Sequence, residues 1–171
     1  MEAPTHTPAA SLDPRVSSFI ERMGMLTEED GLPRIAGRIF GLLLLTPGDL
    51  SLDELASRLE VSKASVSSDA RRLEMRGLLE RRTRPGDRRD YYAIAPDAFA
   101  CSIESRLQRV RRFHELLENG RDLASGSAEV RERWAALDAA YDLTVRVLQD
   151  ALDEVRRATD ARPGAARRAG A

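Results

Sequence analysis

The sequence predicts a mainly helical protein with one small β-hairpin near its middle. Three observations lead to this prediction: apolar residues recur at helical spacing through most of the chain, the period changes only after Gly77, and basic side chains concentrate between residues 62 and 89. A length of 171 residues is enough for one sizeable core. Two independent domains are therefore not expected.

Two helices are predicted before the first clear turn. Residues 1–12 are rich in Pro, Thr and Ala, and we expect them to be disordered. Asp13 followed by Pro14 is a typical helix start, and the apolar spacing that follows indicates a short helix ending near Gly24. A second helix is predicted over 32–45. It is apolar on nearly all sides, as expected for the central helix of a small core.

A helix, a tight turn and a second helix are predicted over residues 51–77. Ser51 and Glu54 have the spacing of a capping box, which opens a helix of about two turns. Ser62 is a good N-cap for a longer helix that ends near Gly77. We expect the apolar face of this second helix to point inward; that face is formed by Val66, Ala70 and Leu73.

Two strand-like segments after Gly77 form the only predicted β-structure. Residues 78–84 and 90–94 read as strands, and Pro85-Gly86-Asp87 between them is a turn sequence. Two helices followed by a hairpin form a winged helix-turn-helix domain. In such a domain the second helix enters the major groove of DNA, and the hairpin reaches the neighbouring minor groove or backbone.

The outward face of the second helix is the first candidate contact with DNA. Its small hydroxyl-bearing and basic side chains suit a close approach to base edges and phosphates. We expect Lys63 to bind a phosphate, and Ser67, Ser68 and Arg71 to face base edges. The full candidate set on this helix is Lys63, Ala64, Ser65, Ser67, Ser68, Arg71 and Arg72. The alternative is that the serines only cap the helix and the arginines are solvated.

The predicted hairpin is the second candidate contact. Residues 62–89 contain nine basic and four acidic side chains, although the whole chain has a net charge of −1. Like charges this close repel one another unless a polyanion is near, and minor grooves attract arginine. The arginines crowded around this turn are Arg81, Arg82, Arg84, Arg88 and Arg89. The predicted DNA contacts among them are Arg84, Arg88 and Arg89, and the alternative is an ordinary exposed, charged turn.

Asp87 is predicted to position one of these arginines. It stands two residues before Arg89, a spacing at which its carboxylate can orient the guanidinium.

Two long helices are predicted after Pro96, with apolar residues at roughly seven-residue repeats. One small domain cannot cover both narrow seams, so we expect a second copy of the chain to cover them. The residues predicted to form the dimer come from the first helix and from these two long helices. They are Val16, Phe19, Ile20, Phe113, Leu117, Leu148, Leu152 and Val155.

The helix and hairpin resemble a known family. The segment SKASVSSDARRLEMRGLLERRTRPGDRRDYY at 62–92 resembles the recognition helix and wing of MarR-family winged-helix regulators, whose wing motif Asp-x-Arg is matched by Asp87 and Arg89. With GLPRIAGRIFGLLLL at 31–45, the chain is more similar to the GbsR-like branch. The resemblance covers about residues 14–158. It implies a homodimer that binds a pseudo-palindromic operator, usually as a repressor, and that a small ligand often controls; no set of ligand-binding residues carries over.

The sequence thus predicts a cytoplasmic, sequence-specific DNA-binding regulator that is not an enzyme and has no cofactor. No catalytic motif is found, and one cysteine with two histidines cannot supply a disulfide or a zinc site. No signal peptide or membrane span is expected. The alternative is a dimeric interaction module that does not bind specific DNA. The predicted segments are a disordered stretch 1–12, a dimerisation helix 13–30, a winged helix-turn-helix 31–95, dimerisation helices 96–158 and a disordered basic tail 159–171.

Two possible roles stay open for several side chains. Arg34 and Arg38 either contact a phosphate or an effector, or they pair with acids such as those at 28–30. Cys101 is expected to be structural rather than redox-active. His114 is expected on a solvated helix surface rather than on a metal, and His6 falls in the N-terminal segment. The aromatic residues that could line an effector pocket, but that more often belong to a core, are Phe40, Trp134 and Tyr141.

Overall fold

The computed structural model describes residues 12–161, which form two compact units, 12–95 and 96–161. The predicted fold class, mainly helical with a small β wing, is confirmed. The segments predicted to be disordered lie outside the described residues except at their inner ends. There, Leu12 packs against the core of the first unit, and Thr159 and Asp160 belong to the last helix.

The first unit contains four helices and a three-stranded sheet. Its elements are α1 (Pro14–Glu29), α2 (Arg34–Leu44), β1 (Leu50–Ser51), α3 (Leu52–Leu59), α4 (Lys63–Met75), β2 (Leu79–Arg84) and β3 (Asp87–Ile94). Helix α2 contacts α1, α3, α4 and β3, which makes it the centre of the core. The predicted inward face of α4 is confirmed, because Val66, Ala70 and Leu73 are buried in that core.

Helix α1 is longer than predicted, because Gly24 does not end it. Gly24 is buried where α1 crosses α2, and a Cβ atom there would lie 2.9 Å from Cγ of Arg38. Gly37 of α2 lies opposite, and its Cβ atom would lie 2.9 Å from Cα of Gly24. The glycine at 24 therefore permits close helix packing, and the helix continues to Glu29.

The sheet has one strand more than predicted. Strand β1 pairs antiparallel with β3, so that the strand order is β1-β3-β2. The sequence did not predict β1 because two residues are too few to show an alternating pattern. In addition, Ser51 has the pattern of a helix cap, and it does cap α3 by accepting a hydrogen bond from the backbone N–H of Glu54. Strand β3 begins at Asp87, where the sequence predicts a turn. The turn is therefore only Pro85 and Gly86, with Gly86 at φ 79°.

The second unit is a pair of long helices. Its elements are α5 (Ala98–Asn119), a 3-10 turn (Arg121–Ser125) and α6 (Ala128–Asp160). Between the two helices, Ala100, Leu107 and Leu152 are buried. Each helix covers part of the other, while apolar side chains such as Leu116 and Val147 stay exposed. The expectation that a second chain covers these helices stays a prediction. No helix within residues 12–161 has the length and apolar character needed to cross a membrane.

Candidate nucleic-acid interface

The N-terminus of α4 is fixed by its own serines. The hydroxyl of Ser62 accepts a hydrogen bond from the backbone N–H of Ser65 at 3.1 Å, and the two hydroxyl oxygens are 2.8 Å apart. This arrangement satisfies one of the free N–H groups at the helix start. Ser65 is therefore half-buried and already engaged in the cap. A DNA contact by Ser65 stays a prediction.

The other candidate residues of α4 share one face. Lys63, Ala64, Ser68 and the two arginines are exposed, and Ser67 is half-buried. Their helical positions lie opposite the buried apolar face, as predicted. The structure thus brings together a small, hydroxyl-bearing and basic surface on the second helix of the helix-turn-helix.

Two cations of this face have acidic partners within the protein. Nζ of Lys63 lies 2.7 Å from Oδ1 of Asp53 in α3, and Nε of Arg72 lies 3.5 Å from Oδ1 of Asp69. The Lys63 pair is well exposed, so that exchanging Asp53 for a phosphate costs little. Within residues 12–161, Arg71 forms no ion pair. Arg71 is therefore the most available charge on α4.

Asp69 is a buried acid that the sequence analysis missed. Only 6% of its surface is exposed, and burial raises the pKa of its carboxyl group. The available signal was its position on the helix, which falls between Val66 and Leu73 on the buried side. Its interaction with Arg72 links the inner face of α4 to the exposed one.

The wing carries a compact set of contacts around Asp87. The backbone N–H of Arg89 donates to Oδ1 of Asp87 at 2.9 Å, and Nη2 of Arg89 donates to Oδ2 at 2.6 Å. The hydroxyl of Tyr91 donates to the same Oδ2 atom at 2.7 Å. Hydrogen bonds from Arg89, and then from Tyr91, hold the pKa of Asp87 far below its ordinary range. The predicted contact between Asp87 and Arg89 is present; its role in DNA binding stays a prediction.

Most wing arginines are neutralised by acids of the same unit. Arg84 forms an ion pair with Asp49, and Nη1 of Arg82 lies 3.6 Å from the same carboxylate. Arg81 lies between two acids, with Nη1 3.5 Å from Asp90 and Nε 3.8 Å from Glu74. Of the five crowded arginines, only Arg88 forms no ion pair within the described part of the chain. The repulsion inferred from sequence is therefore largely relieved without DNA.

Asp49 and Tyr91 are the residues around the wing that sequence reasoning missed. Asp49 lies 35 residues before Arg84 in the chain. Its side chain is only 13% exposed. Nothing in the local pattern around it indicates this contact. The sequence analysis assigned Tyr91 only to a strand. The contact between its hydroxyl and Asp87 becomes visible only in the folded strand β3.

The residues predicted to form the dimer are placed in three different ways. Ile20, Leu117 and Leu152 are buried inside their own units. Val16, Leu148 and Val155 are partly buried against the core of their own unit. Phe19 and Phe113 are exposed at 39% and 41%. Other exposed apolar side chains, which the sequence analysis did not name, include Leu116, Leu143 and Val147. A role of any of these in a dimer stays a prediction.

The two arginines of α2 are internal connectors. Nη2 of Arg34 lies 2.8 Å from Glu21 of α1, and Nε of Arg38 lies 2.7 Å from the same carboxylate. Nη2 of Arg38 also donates to the carbonyl oxygen of Leu59 at 2.8 Å, at the end of α3. The sequence analysis did not name Glu21 as their partner. Arg38 thus links α1, α2 and the beginning of the helix-turn-helix turn.

Cys101 is not placed as a reactive thiol. It is half-buried and its Sγ atom lies 3.6 Å from Oδ2 of Asp97. Burial, and then the negative charge of Asp97, raises the pKa of this thiol, which is the opposite of the shift that reactivity needs.

The prediction that His114 lies on a solvated helix surface is wrong. Its side chain is 18% exposed, and Nε2 lies 3.1 Å from Asp138 of α6. No group of three or more metal-binding side chains occurs within residues 12–161. His6 lies outside the described residues.

The aromatic residues considered for an effector pocket take part in packing. The indole N–H of Trp134 donates to the carbonyl oxygen of Leu117 at 3.3 Å. Tyr141 stacks on Phe113, with the ring centroids 4.5 Å apart. Phe40 packs against the core of the first unit.

Known proteins resemble this chain in both sequence and fold. Residues 30–90 match the model of the MarR family. The HTH-type transcriptional regulator MmpR5 of Mycobacterium tuberculosis (strain ATCC 25618 / H37Rv) is 32% identical over 149 residues, which are 86% of this chain and 90% of that protein. A crystal structure of a transcriptional regulator is also 32% identical, with a TM-score of 0.67 over 84% of this chain and 99% of that one. Assignment to the GbsR-like branch stays a prediction.

Proposed function

Since this chain belongs to the MarR family of transcriptional regulators, we propose that it binds a pseudo-palindromic site in double-stranded DNA as a homodimer and represses transcription there. The observation that supports this most is the exposed face of α4, with Arg71 unpaired among the described residues, in the same unit as an arginine-bearing wing. Such a protein acts in the cytoplasm of a prokaryotic cell, where the DNA lies.

The candidate residues divide by the part of DNA that each type of side chain suits. Ser67, Ser68 and Arg71 face base edges in the major groove, with Ala64 allowing close approach. Lys63 and Arg72 exchange their carboxylate partners for phosphates. From the wing, Arg88 and Arg89 enter the flanking minor groove, to which arginine is attracted. Arg84, held by Asp49, supports the wing and contacts DNA only at its edge.

Dimerisation gives the spacing that the operator requires. We assign the DNA-binding part to 31–95 and the dimer contacts to the helices of 13–30 and 96–158. Two recognition helices about 34–36 Å apart then reach successive major grooves on one side of the duplex. A small effector that changes this spacing releases the DNA.

The test is a DNA titration of the purified protein at two salt concentrations, against a labelled pool of fragments of its own genome. We expect selective binding that weakens steeply with salt, and recovery of fragments with an inverted repeat. Arg71→Ala should weaken binding by about 10- to 100-fold. Arg133→Ala is the matched control, because Arg133 is an exposed, ion-paired arginine on α6. Weak binding that is equal for every fragment and every variant contradicts the proposal.

One observation favours the second candidate, a dimeric interaction module. The acids around the wing leave it with less free positive charge than its sequence indicates. A module of this kind retains its dimer and a protein partner but binds no fragment selectively. The same titration therefore decides between the two candidates.

A further inference from the structure

Tyr91 lies at a rigid point of the wing. It belongs to β3, the central strand of the sheet, where its backbone pairs with Ser51 on one side and Arg82 on the other. Only 3% of its surface is exposed. Its position is therefore set by the whole sheet rather than by the hairpin turn.

The side chain of Tyr91 reaches from this point to the functional tip. Its hydroxyl donates to Oδ2 of Asp87 at 2.7 Å, the oxygen that also accepts from Nη2 of Arg89. Its ring lies beneath two guanidinium groups, with the Cζ atom of Arg84 at 3.8 Å from the ring centroid and that of Arg89 at 5.4 Å. Both distances are within the range of a cation–π interaction.

We propose that Tyr91 is a positioning residue that holds Asp87, and through it the guanidinium of Arg89, in place before DNA binds. The inference rests on the proposed function, in which Arg89 contacts DNA. Asp87 and Arg89 are only two residues apart at an exposed tip, so as a pair alone they can rotate together. The hydroxyl of Tyr91 ties their shared carboxylate to the central strand.

A phenol is well suited to this task. It donates one hydrogen bond and carries no charge, so it fixes the carboxylate without adding a cation that competes with Arg89. Its ring adds a flat surface that restrains the same guanidinium. Binding then does not have to immobilise the long arginine side chain, whose ordering otherwise lowers affinity by about 2- to 12-fold.

The experiment compares Tyr91→Phe with Tyr92→Phe in the full chain. Tyr92 is the next residue of the same strand, and it packs into the core on the other face of the sheet, which makes it a matched loss of one hydroxyl. We expect Tyr91→Phe to lower affinity for the selected DNA by about 2- to 12-fold, and Tyr92→Phe to leave it unchanged. The salt dependence should stay the same for both, because no charge is lost.

A double-mutant cycle separates positioning from a general loss of structure. In an Arg89→Ala background, Tyr91→Phe should cause no further loss of affinity, because the residue through which it acts is gone. A loss that persists in this background overturns the proposal, and so does a Tyr91→Phe protein that binds like the wild type.

A second measurement needs no DNA. Side-chain NMR relaxation of the Arg89 guanidinium in the free protein should show greater mobility in Tyr91→Phe than in Tyr92→Phe. Equal mobility overturns the positioning role even if the protein binds no DNA. Failure of the wild type to bind any fragment selectively refutes the proposed function instead, so the two failures are distinguishable.

Discussion

The close crossing of α1 and α2 gives a prediction for Gly37→Ala. A methyl group at Gly37 would lie 1.8 Å from Oγ1 of Thr27 and 2.7 Å from the carbonyl oxygen of Met23. The Thr27 hydroxyl is itself held by hydrogen bonds to the carbonyl oxygens of Met23 and Gly24. Because the obstacle includes helix backbone, rotating one side chain cannot make room. The two helices must separate.

The size of the effect follows from two opposing terms. Overfilling a packed interior costs about 1–3 kcal/mol, and an overlap this severe falls at the upper end. Alanine in place of glycine inside a helix gains about 1 kcal/mol. We therefore expect Gly37→Ala to lower the free energy of unfolding of the first unit by about 2 kcal/mol.

Gly41→Ala is the matched control on the same helix. Its added methyl group would lie 3.1 Å from Cβ of Met23, so the neighbouring helix has to give way by only a few tenths of an ångström, far less than at Gly37. The gain in helix propensity should then roughly cancel the crowding.

Urea denaturation followed by far-UV circular dichroism measures both variants, while fluorescence of Trp134 reports the second unit separately. Equal stability of Gly37→Ala and Gly41→Ala would refute the packing argument.

Three further predictions follow from the structure. Arg89→Ala should weaken operator binding by about 10- to 100-fold in an anisotropy titration and leave the thermal midpoint unchanged, with Arg133→Ala as the control for lost charge. Truncation after Asn119 should abolish the dimer in sedimentation; a well-folded monomer with full DNA affinity contradicts the assignment of dimer contacts to the long helices. Ser51→Ala should cost about 1–2 kcal/mol at neutral pH, because Ser51 is fully buried and caps α3. Hydrogen bonds from Ser51 lower the pKa of Glu54 below its ordinary 4.5, so their contribution is complete above that value and lost as the pH falls through the folded pKa. The stability difference between Ser51→Ala and the wild type should therefore be smaller in acid, where the cap hydrogen bond from the backbone N–H of Glu54 remains but the bond to its carboxylate is lost; a difference that is the same at both pH values contradicts this linkage.

The order of the helices and the wing could be predicted because both follow from local patterns. The capping box at Ser51 and the N-cap at Ser62 are contacts between residues three apart, and both are present. The end of α1 could not be predicted in this way. Gly24 looks like a helix stop when only its neighbours are considered, but a contact with α2 explains it. A two-residue strand such as β1 likewise depends on its partner strand.

The candidate site likewise contains contacts that local spacing predicts and contacts that only the fold creates. The exposed face of α4 and the Asp87–Arg89 contact follow from spacing along the chain. The acid that pairs with Arg84 does not, because Asp49 belongs to the loop before β1. A charge count treats all basic residues alike, whereas the fold decides which of them already have a partner.

This difference sets how steeply DNA binding should depend on salt. Six of the nine basic side chains in 62–89 form ion pairs with acids of the protein; they are Lys63, Arg72, Arg81, Arg82, Arg84 and Arg89. A cation that stays on its carboxylate in the complex neutralises no phosphate, so it releases no counterion from the DNA. If all these ion pairs persist, the cations without such a partner among residues 12–161 are Arg71, Arg76 and Arg88; a dimer then has about six, and the slope of log K against log salt is about −5. If every basic residue of the block displaced counterions, the slope would approach about −16. A slope near the steeper value would show that the acids release the arginines on binding, and that the ion pairs of the wing do not persist in the complex.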